Sequence, residues 1–419
     1  MHKFLRSAQR KGKRTPLPGE LPPFGDSARR KDKRQRKKAR RDGRPPKGIY
    51  AAIAVLLFCA VGMVLWVNRE NLKPANISEW VQTQMLGLSK GSGFPVHLTD
   101  ENVQPCNFIA ANKELFLTSD TAVQAYNSSA KQLFSRKHSL SSAVMKVNGN
   151  RVLVYNLGGT GYRLESQLKT LVDSSTDGKL LGGAVCANGR FALLTEEDGY
   201  CGQLTVYQQN GQVAYQYSFS EYYPTAVAVN SDGTHAVVTA VGASGGALVS
   251  AVYELDFNSN QTVKPAATYA DTTFLDVAYT SFGILAVGDT QTVALDSAGK
   301  TLGAYSYGDA QLAAWNLNSS TAVLGLLDFR NATASHLTAV NAQGKVQGSA
   351  KVDGSIVSVS QYADVMAVLS SGKVSAFTTS GKAVGSCSAG SNARAVALRS
   401  ANQVFLLDVS EIRLETLRG

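Results

Sequence analysis

Gly242-Ala243-Ser244-Gly245-Gly246 fits G-x-S-x-G, the pattern that presents a serine nucleophile on a sharp strand-to-helix turn, with Asp and His partners downstream. Here the pentapeptide joins two β-type runs, and His138 and His336 offer no partner at a suitable spacing, so a Gly-rich hairpin accounts for it better. The outer histidines His97, His138, His235 and His336 are isolated, with no H-x-x-x-H and no Cys/His cluster, so no metal centre is expected. Glu196-Glu197-Asp198 offers oxygen ligands but reads as a solvated acidic turn. Quinone-cofactor propellers carry a tryptophan-containing repeat, whereas Trp315 is the one tryptophan in the repetitive part of this chain. The expectation is a protein with no catalytic residue, no cofactor and no bound metal.

Recognition is the chemistry that remains. Loops rich in Tyr, Arg and Glu make interface anchors when a scaffold holds them on one face. Four loops qualify: 158–162 with Tyr162, 196–200 with Glu196, Glu197 and Tyr200, 220–224 with Tyr222 and Tyr223, and 328–336 with Arg330 and His336. Tyrosine is also a strand former that packs between sheets, which is the competing reading for each of them. Cys106, Cys186, Cys201 and Cys387 allow three disulfide pairings or free buried thiols.

The elements holding these loops are short strands. From about residue 94, runs rich in Val, Ala, Leu, Thr and Tyr alternate with Gly, Asn, Asp and Ser turns every 8–12 residues, an all-β pattern. Turn clusters recur at Asn210-Gly211, Ser297-Ala298-Gly299, Ala342-Gln343-Gly344 and Ser380-Gly381. A spacing near 40 residues with four strands per unit predicts a β-propeller, with eight blades as first choice and seven as second. Innermost strands are expected at 106–111, 143–147, 183–187, 225–229, 274–279, 312–317, 356–360 and 393–398. The last unit has room for three strands. An orphan strand at 95–99 would complete it and close the ring.

Residues 49–67 read IYAAIAVLLFCAVGMVLWV, nineteen positions without a charge. As a helix they span about 28 Å, the thickness of a bilayer core, which predicts one transmembrane signal-anchor helix. No small-residue cleavage site follows it. Residues 1–48 hold 18 Lys and Arg against four acidic residues, whereas 49–419 hold 24 against 27. The overall charge of +11 therefore belongs to the tail. Its composition predicts disorder, and the positive-inside rule places it in the cytoplasm with the C-terminal domain outside. Arg36, Lys37, Lys38, Arg40, Arg41, Arg44 and Lys47 suit an anionic lipid surface, each cation contributing about 1 kcal/mol there. No aromatic residue lies between Phe24 and Tyr50, so a nucleic-acid partner is disfavoured. The expected domains are a basic tail 1–48, a span 49–67, a stalk 68–93 with a short amphipathic helix, and a propeller 94–419.

Asn230-Ser231-Asp232-Gly233-Thr234 followed by Ala236-Val237-Val238 resembles the first-to-second-strand turn of WD40-like and quinoprotein-like repeats. With Gly91-Ser92-Gly93-Phe94-Pro95 and Tyr155-Asn156-Leu157-Gly158-Gly159, the layout is similar to an uncharacterised family of Gram-positive bacterial single-pass membrane proteins. The resemblance implies an extracytoplasmic propeller and carries no catalytic residue. The expected function is a membrane-anchored, non-catalytic module that binds and scaffolds a protein or cell-envelope component. A transmembrane sensor or adaptor using the basic tail is the alternative, and an envelope hydrolase comes last.

Overall fold

Leu115-Phe116-Leu117, Val152-Leu153-Val154, Phe191-Ala192-Leu193-Leu194 and Val365-Met366-Ala367-Val368-Leu369 are unbroken apolar runs, and every one of these side chains is buried. A strand whose two faces are both covered by neighbouring sheets has no polar side, so its sequence loses the alternation of a half-exposed strand. Each run is the second strand of a four-stranded antiparallel sheet, and eight such sheets form an eight-bladed β-propeller. The computed structural model describes residues 47–67, 82, 89–98, 102–328 and 334–419.

Blades 1 to 7 are consecutive: 103–137, 143–175, 180–219, 223–270, 274–306, 310–353 and 356–388. Blade 8 takes three strands from 395–416 and its outermost strand from Val96–His97. Val96 pairs with Ile412 and His97 with Glu411, so the ring is closed by the first strand of the chain. Each of the eight inner strands overlaps the stretch that the spacing assigns to it, with ends shifted by up to three residues, and the strand expected at 95–99 closes the circle. Phe94 meets Phe405 with ring centroids 5.6 Å apart over the seam.

The turn clusters have a common mechanism. In the third-to-fourth-strand turns of blades 1, 5 and 6, the side-chain oxygen of Asn127, Asp296 or Asn341 accepts backbone N–H groups two and four residues on. The residue at the fourth position then has positive φ: Ala130, Gly299 and Gly344. These are Asx-turns, with glycine at two of the three left-handed positions. The first of them also holds the incoming chain. Gly91 N donates to Ser129 Oγ at 2.8 Å and Gly93 N to Ser129 O at 2.9 Å. A Cβ at Gly91 would collide with the backbone of Lys131. The third-to-fourth-strand and first-to-second-strand turns share one side of the ring, here the lower face. The chain therefore enters the propeller from below.

Inner strands leave one sheet edge unpaired in every blade, and polar side chains of neighbouring blades bond to those edges. Asn107 donates to Ala143 O at 2.7 Å and accepts from Met145 N at 2.9 Å. Asn148 donates to Val185 O at 3.1 Å, and Gln361 to Asn316 O at 3.1 Å. Ser358 and Ser360 accept from Val396 N and Leu398 N at 3.2 and 2.9 Å. Asn107 is 2 % exposed, a buried amide retained because it closes the edge between blades 1 and 2.

Blades 1 and 2 also share a buried charge cluster near the lower face. Glu165 is fully buried; it accepts from Arg136 Nη1 at 3.2 Å and Thr170 Oγ1 at 3.1 Å, and Arg163 Nε lies 3.5 Å away. Nearby, Glu114 accepts a hydrogen bond from Gln167, and burial pushes its carboxyl up to about 7. An acid whose pKa is raised by folding is most favourable when protonated, so its contribution is lost as pH rises from its unfolded value of 4.5 through about 7. Glu114→Gln should therefore stabilise the protein by about 1–2 kcal/mol at about pH 8 and have little effect at about pH 4, after discounting the shift for partial solvation. Urea unfolding at both pH values checks this; equal gains at the two would contradict the burial account.

The N-terminal unit has its own element, helix α1 over Lys47–Val67. Leu56, Phe58 and Met63 on it are highly exposed. The side chains described within α1 make no stretch long and apolar enough to cross a membrane. Arg36, Lys37, Lys38, Arg40, Arg41 and Arg44 lie outside the described residues, as do residues 68–81 and 83–88 of the expected stalk with its short amphipathic helix. All five cysteines are free, so none of the three outer disulfide pairings is formed.

Candidate functional site

The second-to-third-strand connections and the links between blades lie on the upper face, and the four candidate loops are all among them. Their side chains divide sharply. Glu196, Glu197, Tyr200 and Tyr223 are exposed. Tyr162 and Tyr222 were expected at the loop surface and are buried instead. Tyr162 is the second residue of strand Gly161–Ser166, whose alternation turns it inward, where it packs 5.7 Å from Phe191 and 5.6 Å from Tyr207. Tyr222 meets Tyr253 edge-on at 6.3 Å. Arg330 lies outside the described residues. His336 is exposed on the third strand of blade 6, opposite Leu326 and Lys351, away from the other candidates.

The exposed residues gather over blades 3 and 4. The 196–201 loop closes through Tyr200 N to Glu197 O at 3.1 Å and Cys201 N to Phe219 O at 2.7 Å. Gly202, which follows it, lies against Pro224, and that contact brings the loop beside the 220–224 link. Beside both rises the hairpin of strands His235–Ser244 and Ala247–Asp256, the two longest strands of the propeller. Its tip turns at Gly245 and Gly246, both at positive φ, and exposes Leu248. This tip is the G-x-S-x-G pentapeptide. Its first glycine, Gly242, faces the ring of Tyr222, which a side chain would strike. Steric fit explains that glycine, and no hydrogen bond joins Ser244 to a histidine among the described residues.

The sector carries Glu196, Glu197, Asp198 and Glu221 around the two exposed tyrosines. Lys179 partners Glu196 at 3.9 Å, an exposed contact of little energetic weight. The upper face of blades 3 and 4 thus carries exposed carboxylates together with exposed Tyr200, Tyr223 and Leu248. Among the described residues there is no group of three or more His, Cys, Asp or Glu arranged to hold a metal ion.

A second feature of the upper face was not legible in the sequence. In blades 3 to 7 the inner strand carries a β-bulge in its upper part, which leaves Leu181, Thr225, Leu275, Ala313 or Val357 out of the ladder. Bulges release a side chain from the strand alternation. Leu275, Ala313 and Val357 are exposed as a result and border the upper mouth of the central channel. A cavity of about 540 Å³ opens between blades 7 and 8, lined by Val357, Leu369 and small residues such as Ser355, Ser371 and Gly390.

The C-terminal WD40 domain of Sif2 superposes with a TM-score of 0.54 at 10 % identity, covering 78 % of this chain and all of that domain. A chain of the Kuenenia stuttgartiensis hydrazine synthase gives a TM-score of 0.44 at 11 % identity, over 64 % of this chain and 92 % of that one. The first likeness shows a WD40-like propeller fold. No curated protein matches the chain. The model of a family of unknown function, DUF5711, matches residues 96–415, from the closing strand through the last blade, and the chain belongs to that family.

Proposed function

We propose that this protein is a membrane-anchored binding module whose upper face docks a protein or cell-envelope partner. The observation that carries this reading is that Tyr200, Tyr223 and Leu248 are exposed, with several carboxylates, on the upper face of adjacent blades of a closed ring. Exposed aromatic and apolar anchors are the side chains that carry recognition surfaces. The neighbouring carboxylates favour a partner with a basic docking surface.

The anchor is α1 and its basic flank. In the sequence, residues 49–67 carry no charge over nineteen positions, a length that suits a single span, and the cations from Arg36 to Lys47 favour a cytoplasmic N-terminus against anionic lipid. The propeller is then extracytoplasmic.

In-cell crosslinking of the full-length protein, with crosslinks mapped by mass spectrometry, tests the reading. The expected result is one reproducible partner attached near 196–200, 220–224 or 244–248, lost in the double variant Tyr200→Ala/Tyr223→Ala, since hot-spot tyrosines carry about 2 kcal/mol or more each. Crosslinks confined to the tail, or unchanged in the double variant, would refute it.

A further inference from the structure

The turns that join third to fourth strands end alike. In blades 1, 2, 5, 6 and 7 the last residue of the turn is a lysine: Lys131, Lys169, Lys300, Lys345 and Lys382. The backbone N–H of each donates to a side-chain oxygen of the residue that opens the turn, Asn127, Ser166, Asp296, Asn341 or Thr378, at 2.9 to 3.2 Å. The lysine backbone is thereby fixed at the lower rim, and all five side chains are exposed. Blade 8 adds Arg418, also exposed, whose backbone exchanges two hydrogen bonds with Ser386 of blade 7 at 2.8 and 3.0 Å. None of these six cations forms an ion pair among the described residues.

Since blade 8 closes onto blade 1, blades 5, 6, 7, 8, 1 and 2 are consecutive, and the six cations form one row around the lower rim. Contacts hold the turns of neighbouring blades side by side. Gly303, Gly348 and Gly385, on the outermost strands of blades 5, 6 and 7, lie against the backbone of Gln343, Ser380 and Arg418 in the next blade, with no room for a Cβ. Among the described residues, the lower turns of these six blades hold two carboxylates: Asp296, whose Oδ1 accepts two backbone N–H groups, and the exposed Asp364. The row stops at blades 3 and 4. Gln212 takes the lysine's place in blade 3, and blade 4 sets Asp232 and Asp256 on the same face along with Lys264.

We propose that this row is a docking track for a linear polyanion, a chain that carries one negative charge after another. The cations are spread one per blade rather than gathered on one point, which suits a repeating chain better than a single anion. Lysine is a compact point charge on a flexible stem, so it meets a polymer without demanding one geometry. One exposed contact is weak. Contacts to a single chain add up, because each one after the first is intramolecular. A row along one side of the lower face suits a strand, whereas a bilayer plane would also meet the aspartates of blade 4. The five lysine turns contain no aromatic residue, so nothing in them stacks a nucleic-acid base and charge alone is read. The track lies on the opposite face from the partner-docking sector of blades 3 and 4, and neither depends on the other.

The test uses the full chain in a neutral detergent. Its lysines are acetylated with and without long-chain inorganic polyphosphate, and each site is read by mass spectrometry. The basic tail attracts the polymer too, so only site-resolved rates decide. The expected result is labelling slowed at least about 3-fold at Lys131, Lys169, Lys300, Lys345 and Lys382, with the upper-face Lys179 and Lys373 unchanged and no protection by orthophosphate at equal phosphorus. The double variant Lys345→Gln/Lys382→Gln should need about 5-fold more polymer to protect Lys131 and Lys300, at an unchanged Tm. The polyphosphate and orthophosphate arms use the unaltered chain, so their outcome stands even where the variant misfolds. Protection confined to the tail overturns the proposal, as does equal protection of Lys179 and Lys373 or equal protection by orthophosphate. Protection of the row by phosphatidylglycerol mixed into the micelles, but not by polyphosphate, overturns it in favour of a lipid surface.

Discussion

Phe405→Ala should lower the unfolding free energy by about 3–5 kcal/mol, because the ring is fully buried where the propeller closes. Phe405 lies on the second strand of blade 8 and shares one cluster with Val103 and Leu115 of blade 1, Ile412 of the closing pair and Phe94 of the incoming chain. Removing it opens a cavity that these groups cannot fill together, since they belong to segments held by separate ladders. Phe405→Leu keeps most of the volume and should cost about 1–1.5 kcal/mol. Guanidinium unfolding measures both. A loss below about 1 kcal/mol for the alanine variant would mean that the seam contributes little to stability.

Arg136→Met should cost about 3–5 kcal/mol, and the double variant Arg136→Met/Glu165→Met should recover most of it. Burial pushes the Glu165 carboxyl up and the Arg136 guanidinium down in spite of their contact, so desolvation outweighs the attraction between them. Such a pair gives little net stability, yet without Arg136 the buried Glu165 keeps Arg163 as its one cationic neighbour and is under-compensated. Arg136 also donates to Ser166 O at 2.7 Å and Gln167 O at 2.9 Å, ties that the double variant does not restore. The remaining deficit in the double-mutant cycle measures those two bonds. Equal losses in the single and double variants would place all the energy in the backbone contacts and none in the charge pair.

Much of the architecture was legible because turn chemistry and apolar runs recur at a fixed spacing. The inner strands of blades 2 and 5 start where the sequence puts them, at Ala143 and Phe274. The inner strand of blade 3 starts at Leu180 rather than 183, because Gly182-Gly183 has no side chains to betray a strand. Gly183 is a glycine because Leu153, Leu193 and Tyr155 crowd the position of its Cβ, a contact with blade 2 that no local pattern contains. The candidate face was legible at the level of loops and not of side chains. Tyr222 and Tyr223 are neighbours of one type, and strand alternation sends one into the core and the other to solvent. The bulges were invisible because Leu181, Leu275 and Val357 read as ordinary strand residues.

The pairing of Val96 with Ile412 joins the first strand of the propeller to its last. During synthesis residue 96 leaves the ribosome long before its partner exists. For most of translation the chain therefore carries an unmatched strand at one end and a growing arc of blades with an open edge at the other. Arcs of blades can form as they emerge, each from local hairpins, but the circle is completed only after residue 416 is released. The slow, non-local step is thus postponed to the end of the chain, where loop closure over more than three hundred residues sets its entropy. A truncated transcript or a stalled ribosome would leave an open ring with two strand edges exposed to other chains.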